Sequence, residues 1–577
     1  MKTNIKSGKH FTKTSLKHWA EYLLLSPILP LLIFLIPTFW GIDFGYHWDE
    51  NYGKFRSLVR AFEDGIFLQG EYIYGGFNFI LSFIPLIPPL MKMFLDSALD
   101  FQHARENLVP YLISDQYKIA VRSIFILFSS LTIPAVFMIS MLLEKNRFQA
   151  FISSLVVAVS WEFSYHSRWA VGDCILVTLT AFYIFCLITS VQRSELNFRE
   201  PLYWAAILAG LSAGTKYNGG ILLFFALALA FYLEIKKTKK FSFIQTSYTL
   251  AVITGLFFLV FFFTSPACLI HPFFFWGDLK EVIEIYKRGF WGAPGATVEP
   301  GPEHFFAMLR YFARDFFSHY QPIAFGMFVI SMLGAFYFCK FLPRLISVIL
   351  FGIPLIYLSY FSQQSYMGIR NYLFVIPILA VCCGNGMVVL FNYLNNKKLR
   401  IIAVAIFASC IACNIYWMGE SANSITKRTL RRYDLKEAPK VLIDDLIGYI
   451  KTHPDKRFVP SKLIRDDLVR SGVPTLNNVH TKFETSDDFL VCYQSESVMQ
   501  ERKWPSTGSI VFSKVIGPQV ANMNYYARWA GSEWVYIIPR ASFPLLPRFL
   551  PRLVDETPPP PNEDRLTHAR WGYTHGL

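Results

Sequence analysis

Residues 21–40 read EYLLLSPILPLLIFLIPTFW, and residues 245–264 read QTSYTLAVITGLFFLVFFFT. Each is a mostly apolar run of about 20 residues, the length at which a helix rising ~1.5 Å per residue crosses ~30 Å of hydrocarbon. Further apolar runs recur along the 577 residues. Of these, 53% are hydrophobic and only 17% charged, against roughly 25% charged in soluble domains. A single soluble core is excluded, and the chain reads as a polytopic membrane protein.

The net charge of +14 does not point to nucleic acid. The basic residues sit largely in short loops between apolar runs, where they act as topology signals. Lys2, Lys6, Lys9, Lys13 and Lys17 place residues 1–20 in the cytoplasm, as a basic amino-terminal segment. The first apolar run lacks a small-residue cleavage site and reads as a retained anchor. The run 77–95 contains Pro85, Pro88 and Pro89, and proline removes a backbone donor and kinks a helix. If 77–95 lies along the outer surface, four basic loops (Lys145/Arg147, Lys236–Lys240, Lys340/Arg344 and Lys397–Arg400) all fall inside. Spans are then expected at about 21–41, 119–142, 148–165, 172–192, 200–214, 217–235, 245–264, 323–341, 345–362, 372–393 and 400–419. Gly214, Gly219 and Gly220 suggest a tight hairpin between two of them.

The expected fold is thus an all-α membrane bundle of about eleven transmembrane helices over 21–419, with outer loops at 42–118 and 265–322. From 420 the composition becomes that of a soluble domain. Val441, Leu442, Leu446, Ile447 and Ile450 recur at helical spacing, ahead of strand-like runs at 488–493, 509–516 and 533–538. This predicts a small extracytoplasmic α/β domain over 420–541 and a proline-rich tail over 542–577. The longest polar segments all fall on the outer face, which is therefore where chemistry is expected.

Four clusters on that face carry candidate chemistry. Asp49-Glu50 follows the first span, flanked by Tyr46, His47, Trp48 and Tyr52; a carboxylate near the membrane surface suits general-base work. Arg168 and Asp173 lie in YHSRWAVGD at the mouth of the bundle, where ionisable groups mark sites by default. Lys216 and Tyr217 lie in AGTKYNGG, where the lysine either holds an anion or snorkels to the interface. Arg370, with Tyr372, precedes a span and offers a fork suited to phosphate. His271 and His304 read as ordinary loop histidines, and Asp466-Asp467 as a solvated face. The nine cysteines have no ligand spacing in a loop, and Cys410-x-x-Cys413 lies in an apolar run, so no metal site is assigned. Walker, G-x-G-x-x-G and H-E-x-x-H motifs are missing from the sequence.

The order of these pieces resembles the GT-C superfamily of membrane glycosyltransferases, and is most similar to the family-39 type that includes protein O-mannosyltransferases and the lipid A aminoarabinose transferase. The resemblance covers roughly residues 20–420 and rests on HWDE at 47–50, HSRWAVGD at 166–173, AGLSAGTKYNGG at 209–220 and an R-x-Y at 370–372. It implies an inverting transferase that takes a monosaccharide from a polyprenyl- or dolichyl-phosphate carrier and gives it to a lipid, glycan or protein acceptor outside the cytoplasm. It also implies Asp49 at the catalytic acidic position, with Glu50 as its partner. Arg168 and Asp173 match the second cluster, with His47, Tyr217 and Tyr372 beside the substrate. Lys216 and Arg370 match basic positions near the carrier phosphate. Asn371 stands where the family often has arginine before the tyrosine. No cofactor is required, and a divalent cation remains compatible with the scheme. The setting implied is a bacterial plasma membrane, with endoplasmic reticulum as the alternative. A lipid-glycan transporter or flippase is the competing reading, disfavoured because the halves of the chain show no matching repeat; a non-catalytic assembly subunit of the same fold is a third.

The topology is directly testable. Accessibility tags near residue 100 and after residue 430 should both report the non-cytoplasmic side. A cytoplasmic signal at residue 100 would mean that 77–95 crosses, and would invert every later loop.

Overall fold

A computed structural model describes residues 25–43, 50, 55–65, 67–69, 72–96, 101–112, 114–194, 197–238, 242–288, 298–394, 396–433, 440–460, 465, 468, 477–480, 484, 487–493, 512–516 and 533–539. His47, Asp49, Asp466 and Asp467 lie outside the described residues, as do the basic amino-terminal segment and the proline-rich tail. The chain divides into two compact units, the first running to Thr426 and the second beginning at Lys427.

The first unit is helical. Among the described residues nine helical stretches are long and apolar enough to cross a membrane, from Phe77–Leu95 to Lys397–Ala422, and Ile28–Phe39 and Arg147–Ala158 are shorter apolar helices. The protein is therefore a multi-pass membrane protein built as an all-α bundle. The stretch Phe77–Leu95 breaks into Phe77–Phe83, a 3-10 turn Ile84–Leu86 and Ile87–Leu95. The break falls where Pro85, Pro88 and Pro89 remove amide donors. The expected span 148–165 is two helices, Arg147–Ala158 and Trp161–Ser167, the second begun by Ser160, whose Oγ accepts from the Phe163 amide at 3.4 Å.

The expected hairpin after residue 214 is also present. Helix Arg199–Thr215 stops at Lys216, which is extended at φ −147°, and a 3-10 turn Tyr217–Ile221 leads into Leu222–Thr238. The glycines act through close approach. A Cβ on Gly214 would lie 2.1 Å from Thr264 Oγ1, and one on Gly219 would lie 2.5 Å from the Ser212 carbonyl carbon. The last carbonyl of that helix is buried and needs a donor. Thr215 O accepts from the Gly75 amide at 3.3 Å and from Asn78 Nδ2 at 2.9 Å, which ties segment 72–78 to the helix end.

The second unit is the α/β domain. Leu446, Ile447 and Ile450 of helix Lys440–Thr452 pack with Phe458, Val491 and Ile537. Strands β1 (Phe458–Pro460), β2 (Phe489–Tyr493), β3 (Phe512–Ile516) and β4 (Glu533–Pro539) form one sheet in the order β1-β2-β4-β3. β1 runs parallel to β2, and β4 is antiparallel to both β2 and β3. Three of the strands coincide with the expected runs; β1 is too short to show alternation.

Helices Gln321–Phe341 and Ile376–Tyr393 touch backbone to backbone. A Cβ on Gly334 would fall 1.9 Å from Cys382 O, and one on Gly386 would fall 2.0 Å from Ile330 O. Gly334→Ala should therefore lower stability by about 1–3 kcal/mol, read as a drop in melting temperature in detergent. Gly326→Ala on the same helix, where the new Cβ meets nothing within 4 Å, should leave it unchanged.

Candidate functional site

Three separated sequence motifs meet at one buried point. Asp173 opens helix Gly172–Gln192, Lys216 is the extended residue between helix Arg199–Thr215 and its following turn, and Arg370-Asn371 lies in the 3-10 segment Ile369–Val375. All four positions are helix ends or interruptions, where the backbone departs from regular pairing and polar side chains can serve a site.

Lys216 Nζ donates to Asp173 Oδ1 and to Asn371 Oδ1, each at 2.6 Å. An ammonium has three donors, and these two bonds leave one N–H uncommitted among the described residues. Arg370 Nε lies 3.8 Å from Asp173 Oδ2, and its Nη2 donates to the Tyr74 hydroxyl at 3.1 Å. The Asp173 side chain is 3% exposed and that of Lys216 11%, so the pair is held in low dielectric. Tyr286 adds a hydroxyl that donates to Asn371 Oδ1 at 3.1 Å. Burial, with the Asp173 carboxylate nearby, pushes the Tyr286 pKa up and keeps its proton in place as a donor. Asp173 Oδ2, Asn371 Nδ2, Asn78 Oδ1 and Asn218 Oδ1 are buried without hydrogen-bond partners among the described residues. Native interiors rarely leave such atoms unpaired, so their grouping around Lys216 marks capacity for a polar ligand or water.

The other candidates are placed differently. Arg168 is not part of this cluster. Its guanidinium donates to Pro37 O at 2.6 Å, Thr38 O at 3.2 Å and Met418 O at 3.4 Å, and so caps the carbonyl end of helix Ile28–Phe39. Tyr217 donates to Tyr72 O at 2.7 Å and to Tyr74 O at 3.1 Å, holding segment 72–76 beside Lys216. Tyr72 in turn donates its amide to Asp278 of helix Pro272–Arg288 at 2.8 Å. Tyr372 is fully buried, and its hydroxyl lies 2.8 Å from His304 Nε2. His304 is therefore no ordinary loop histidine. Its Nδ1 must donate to Gln364 O, so Nε2 accepts from Tyr372, and burial lowers its pKa in favour of that neutral form.

Glu50 is buried and accepts from Arg122 through both oxygens, Nε to Oε1 at 2.8 Å and Nη2 to Oε2 at 2.6 Å. Its Oε1 also accepts from the Ala170 amide at 3.1 Å. This carboxylate joins helix Asp115–Ser130 to the turn 168–171 and fixes the chain immediately after Asp49. Arg122 escaped the sequence reading, although an arginine within the apolar run 119–142 was a visible signal. Asn371 and Tyr286 gave no local signal. A second buried group, Glu162 with Tyr311 donating to it at 2.8 Å, also appears only in three dimensions. His166 Nε2 lies 3.3 Å from Glu162 Oε2 without hydrogen-bond alignment. No group of three or more metal-ligating side chains occurs among the described residues.

The geometry predicts an asymmetric response to substitution. Lys216→Met alone leaves Asp173 buried without its closest cation and should cost about 3–5 kcal/mol. The double variant Asp173→Asn/Lys216→Met should recover most of that loss, measured as melting temperature. Equal destabilisation by the single and double variants would show that the two side chains are not coupled.

Residues 71–275 match the family model of dolichyl-phosphate-mannose-protein mannosyltransferases. Among curated protein sequences none matches the chain. Among solved structures, the archaeal oligosaccharyltransferase AglB from Archaeoglobus fulgidus, in complex with an inhibitory peptide and a dolichol-phosphate, is 12% identical at a TM-score of 0.45; the match covers 79% of this chain and 64% of that one. ArnT from Cupriavidus metallidurans bound to undecaprenyl phosphate is also 12% identical at a TM-score of 0.45, over 88% of this chain and 97% of that one. The resemblance read from HSRWAVGD and AGLSAGTKYNGG is thus met, over 71–275, by the sequence pattern of the dolichyl-phosphate-mannose-protein mannosyltransferases.

Proposed function

We propose that the protein is an inverting glycosyltransferase that moves a hexose or pentose from a polyprenyl- or dolichyl-phosphate carrier to an acceptor on the non-cytoplasmic side of its membrane. The observation that carries this reading is the buried junction of Asp173, Lys216, Arg370 and Asn371. It gathers two cations and several unpaired polar atoms at the ends of membrane helices, with Asp173 and Lys216 inside the stretch matched by a family named for a dolichyl-phosphate sugar donor.

On this reading the carrier phosphate takes the free N–H of Lys216 and the guanidinium of Arg370. Asp173 and Asn371 hold the ammonium and aim it. Asp49 removes the proton of the acceptor hydroxyl or amine as its lone pair attacks the anomeric carbon. The bond from that carbon to the phosphate oxygen breaks on the opposite face, which inverts the configuration. The negative charge passes to the lipid phosphate, already a competent leaving group, and is stabilised by the two cations in low dielectric. Glu50, bound by Arg122 and by the Ala170 amide, serves as the anchor next to Asp49 in the chain. The segment Phe77–Leu95, with Ile87, Met91, Phe94 and Leu95 exposed, lies in the interface and flanks the carrier chain.

Asp49→Asn should lower transfer by at least ~10²-fold while carrier binding persists, since the change removes the base and keeps the shape of the side chain. Asp466→Asn serves as the control and should retain activity. The double variant Asp173→Asn/Lys216→Met should lose about one to two decades of affinity for a polyprenyl phosphate, the loss of one charge-assisted contact. Full turnover by Asp49→Asn with purified protein and a polyprenyl-phosphate sugar would overturn the mechanism.

A further inference from the structure

Helix Arg199–Thr215 carries Lys216 just past one end and a separate groove towards the other, whose charged end lies about 25 Å from Lys216 at ~1.5 Å per residue. The groove has a volume of about 410 Å³ and is lined by Arg199, Glu200, Tyr203, Trp204 and Ile207 of this helix and Leu256 of helix Phe243–Thr264, together with Asn197. From Arg199 to Ile207 it extends over eight residues, about 12 Å along the helix axis. Its lining changes in order along that depth. Charges of both signs come first, then two aromatic side chains, then two aliphatic ones. That is the order of headgroup, interface and hydrocarbon in one leaflet of a bilayer.

The charged end is a built feature. Arg199 Nε donates to Glu234 Oε1 at 2.8 Å, and Thr249 Oγ1 donates to the same oxygen at 2.6 Å. Glu234 is buried, whereas the Arg199 side chain keeps 27% of its surface open. The arginine is thus held from behind by a fixed carboxylate and presented at the groove. Lys237 stands over the Phe198 ring at 5.5 Å and adds a second cation nearby. Glu200 is exposed and lies 3.8 Å from Arg193, a contact that water screens and that contributes little. Trp204 is 57% exposed, although it sits at the start of an otherwise well-packed helix.

We infer that this groove is a binding site for one zwitterionic, amine-bearing phospholipid of the leaflet opposite the Asp173–Lys216 junction. Its phosphate lies on Arg199, its amine reaches Glu200, and the upper part of one acyl chain runs between Trp204, Ile207 and Leu256. The site is independent of the transfer reaction, and its occupant need not be the sugar carrier.

The test uses the full-length protein in nanodiscs made of equal parts phosphatidylethanolamine and phosphatidylglycerol, released for native mass spectrometry. Wild type should retain one phosphatidylethanolamine, in at least tenfold preference over phosphatidylglycerol. Ile207→Trp, which fills the groove from this helix, and Leu256→Trp, which fills it from the neighbour, should each abolish that retained lipid while the protein stays monodisperse. Glu200→Gln should reduce the preference to near parity without removing the lipid. Unchanged retention in a well-folded Ile207→Trp or Leu256→Trp variant would overturn the proposal. So would retention by wild type of several lipids with no defined number or headgroup preference.

Discussion

The ion pair between Asp173 and Lys216 is the constraint around which the first unit is arranged. Burying two charges costs more than their attraction returns unless further hydrogen bonds complete the shell. Here the shell is supplied by elements distant in sequence, with Asn371 on Lys216 and Arg370 beside Asp173. Apolar residues of similar volume would serve stability as well, so a charged pair at a junction of helices is better explained by what it presents than by what it holds together. Its neighbours follow from it. Lys216 can reach Asp173 only because its helix ends there, and that end needs Gly75 and Asn78 to satisfy the final carbonyl.

Interruptions recur in the helices around this point, and each has a chemical cause. Ser160 caps a new helix after Ala158, Val171 is extended before Gly172, Lys216 is extended after Thr215, and a 3-10 segment precedes Ile376. Irregular backbone at membrane depth is tolerated where it is enclosed by protein or lines a cavity. The Asp173–Lys216 junction meets that condition, being formed from three of these breaks and enclosed by the side chains of Tyr286, Asn371 and Tyr74. The site is thus made from the places where the helices fail to continue, and the continuous spans serve to bring those places together.

This explains which features were legible in the sequence. Among the described residues apolar length gave eight of the eleven expected spans, and strand-like runs gave three of the four strands, since both signals are local. Lys216, Asp173 and Arg370 stood out because a charge between apolar runs is rare in itself, and their meeting matches the expectation that they share one side. What stayed hidden depended on pairing. Nothing near Arg168 indicates that its partners are the carbonyls of Pro37, Thr38 and Met418, and nothing near His304 indicates Tyr372. Arg122 lies between, since its charge was visible within an apolar run while its partner was 72 residues away. The glycines of 214–220 were read as a hairpin signal, and the hairpin exists, but their physical role is to let backbones touch.

The adjacent carboxylates show how far local pattern reaches. As sequence, Asp49 and Glu50 are equivalent acids in one loop. In the fold, Glu50 has both oxygens on Arg122 and a third bond from the Ala170 amide, so its lone pairs are directed into the protein and it is fastened to two elements at once. A carboxylate so engaged is suited to holding its neighbour and poorly suited to receiving a proton from an incoming acceptor. If one of the pair serves as base in the proposed reaction, the task falls to Asp49 for that reason. The same bond brings Glu50 towards the junction, because Ala170 lies three residues from Asp173 in the chain. A bond from Glu50 to that turn therefore ties residue 50 to the element that leads into Asp173. In the proposed reaction two acids that look redundant in sequence would thus divide the work, with Glu50 as anchor and Asp49 as reagent.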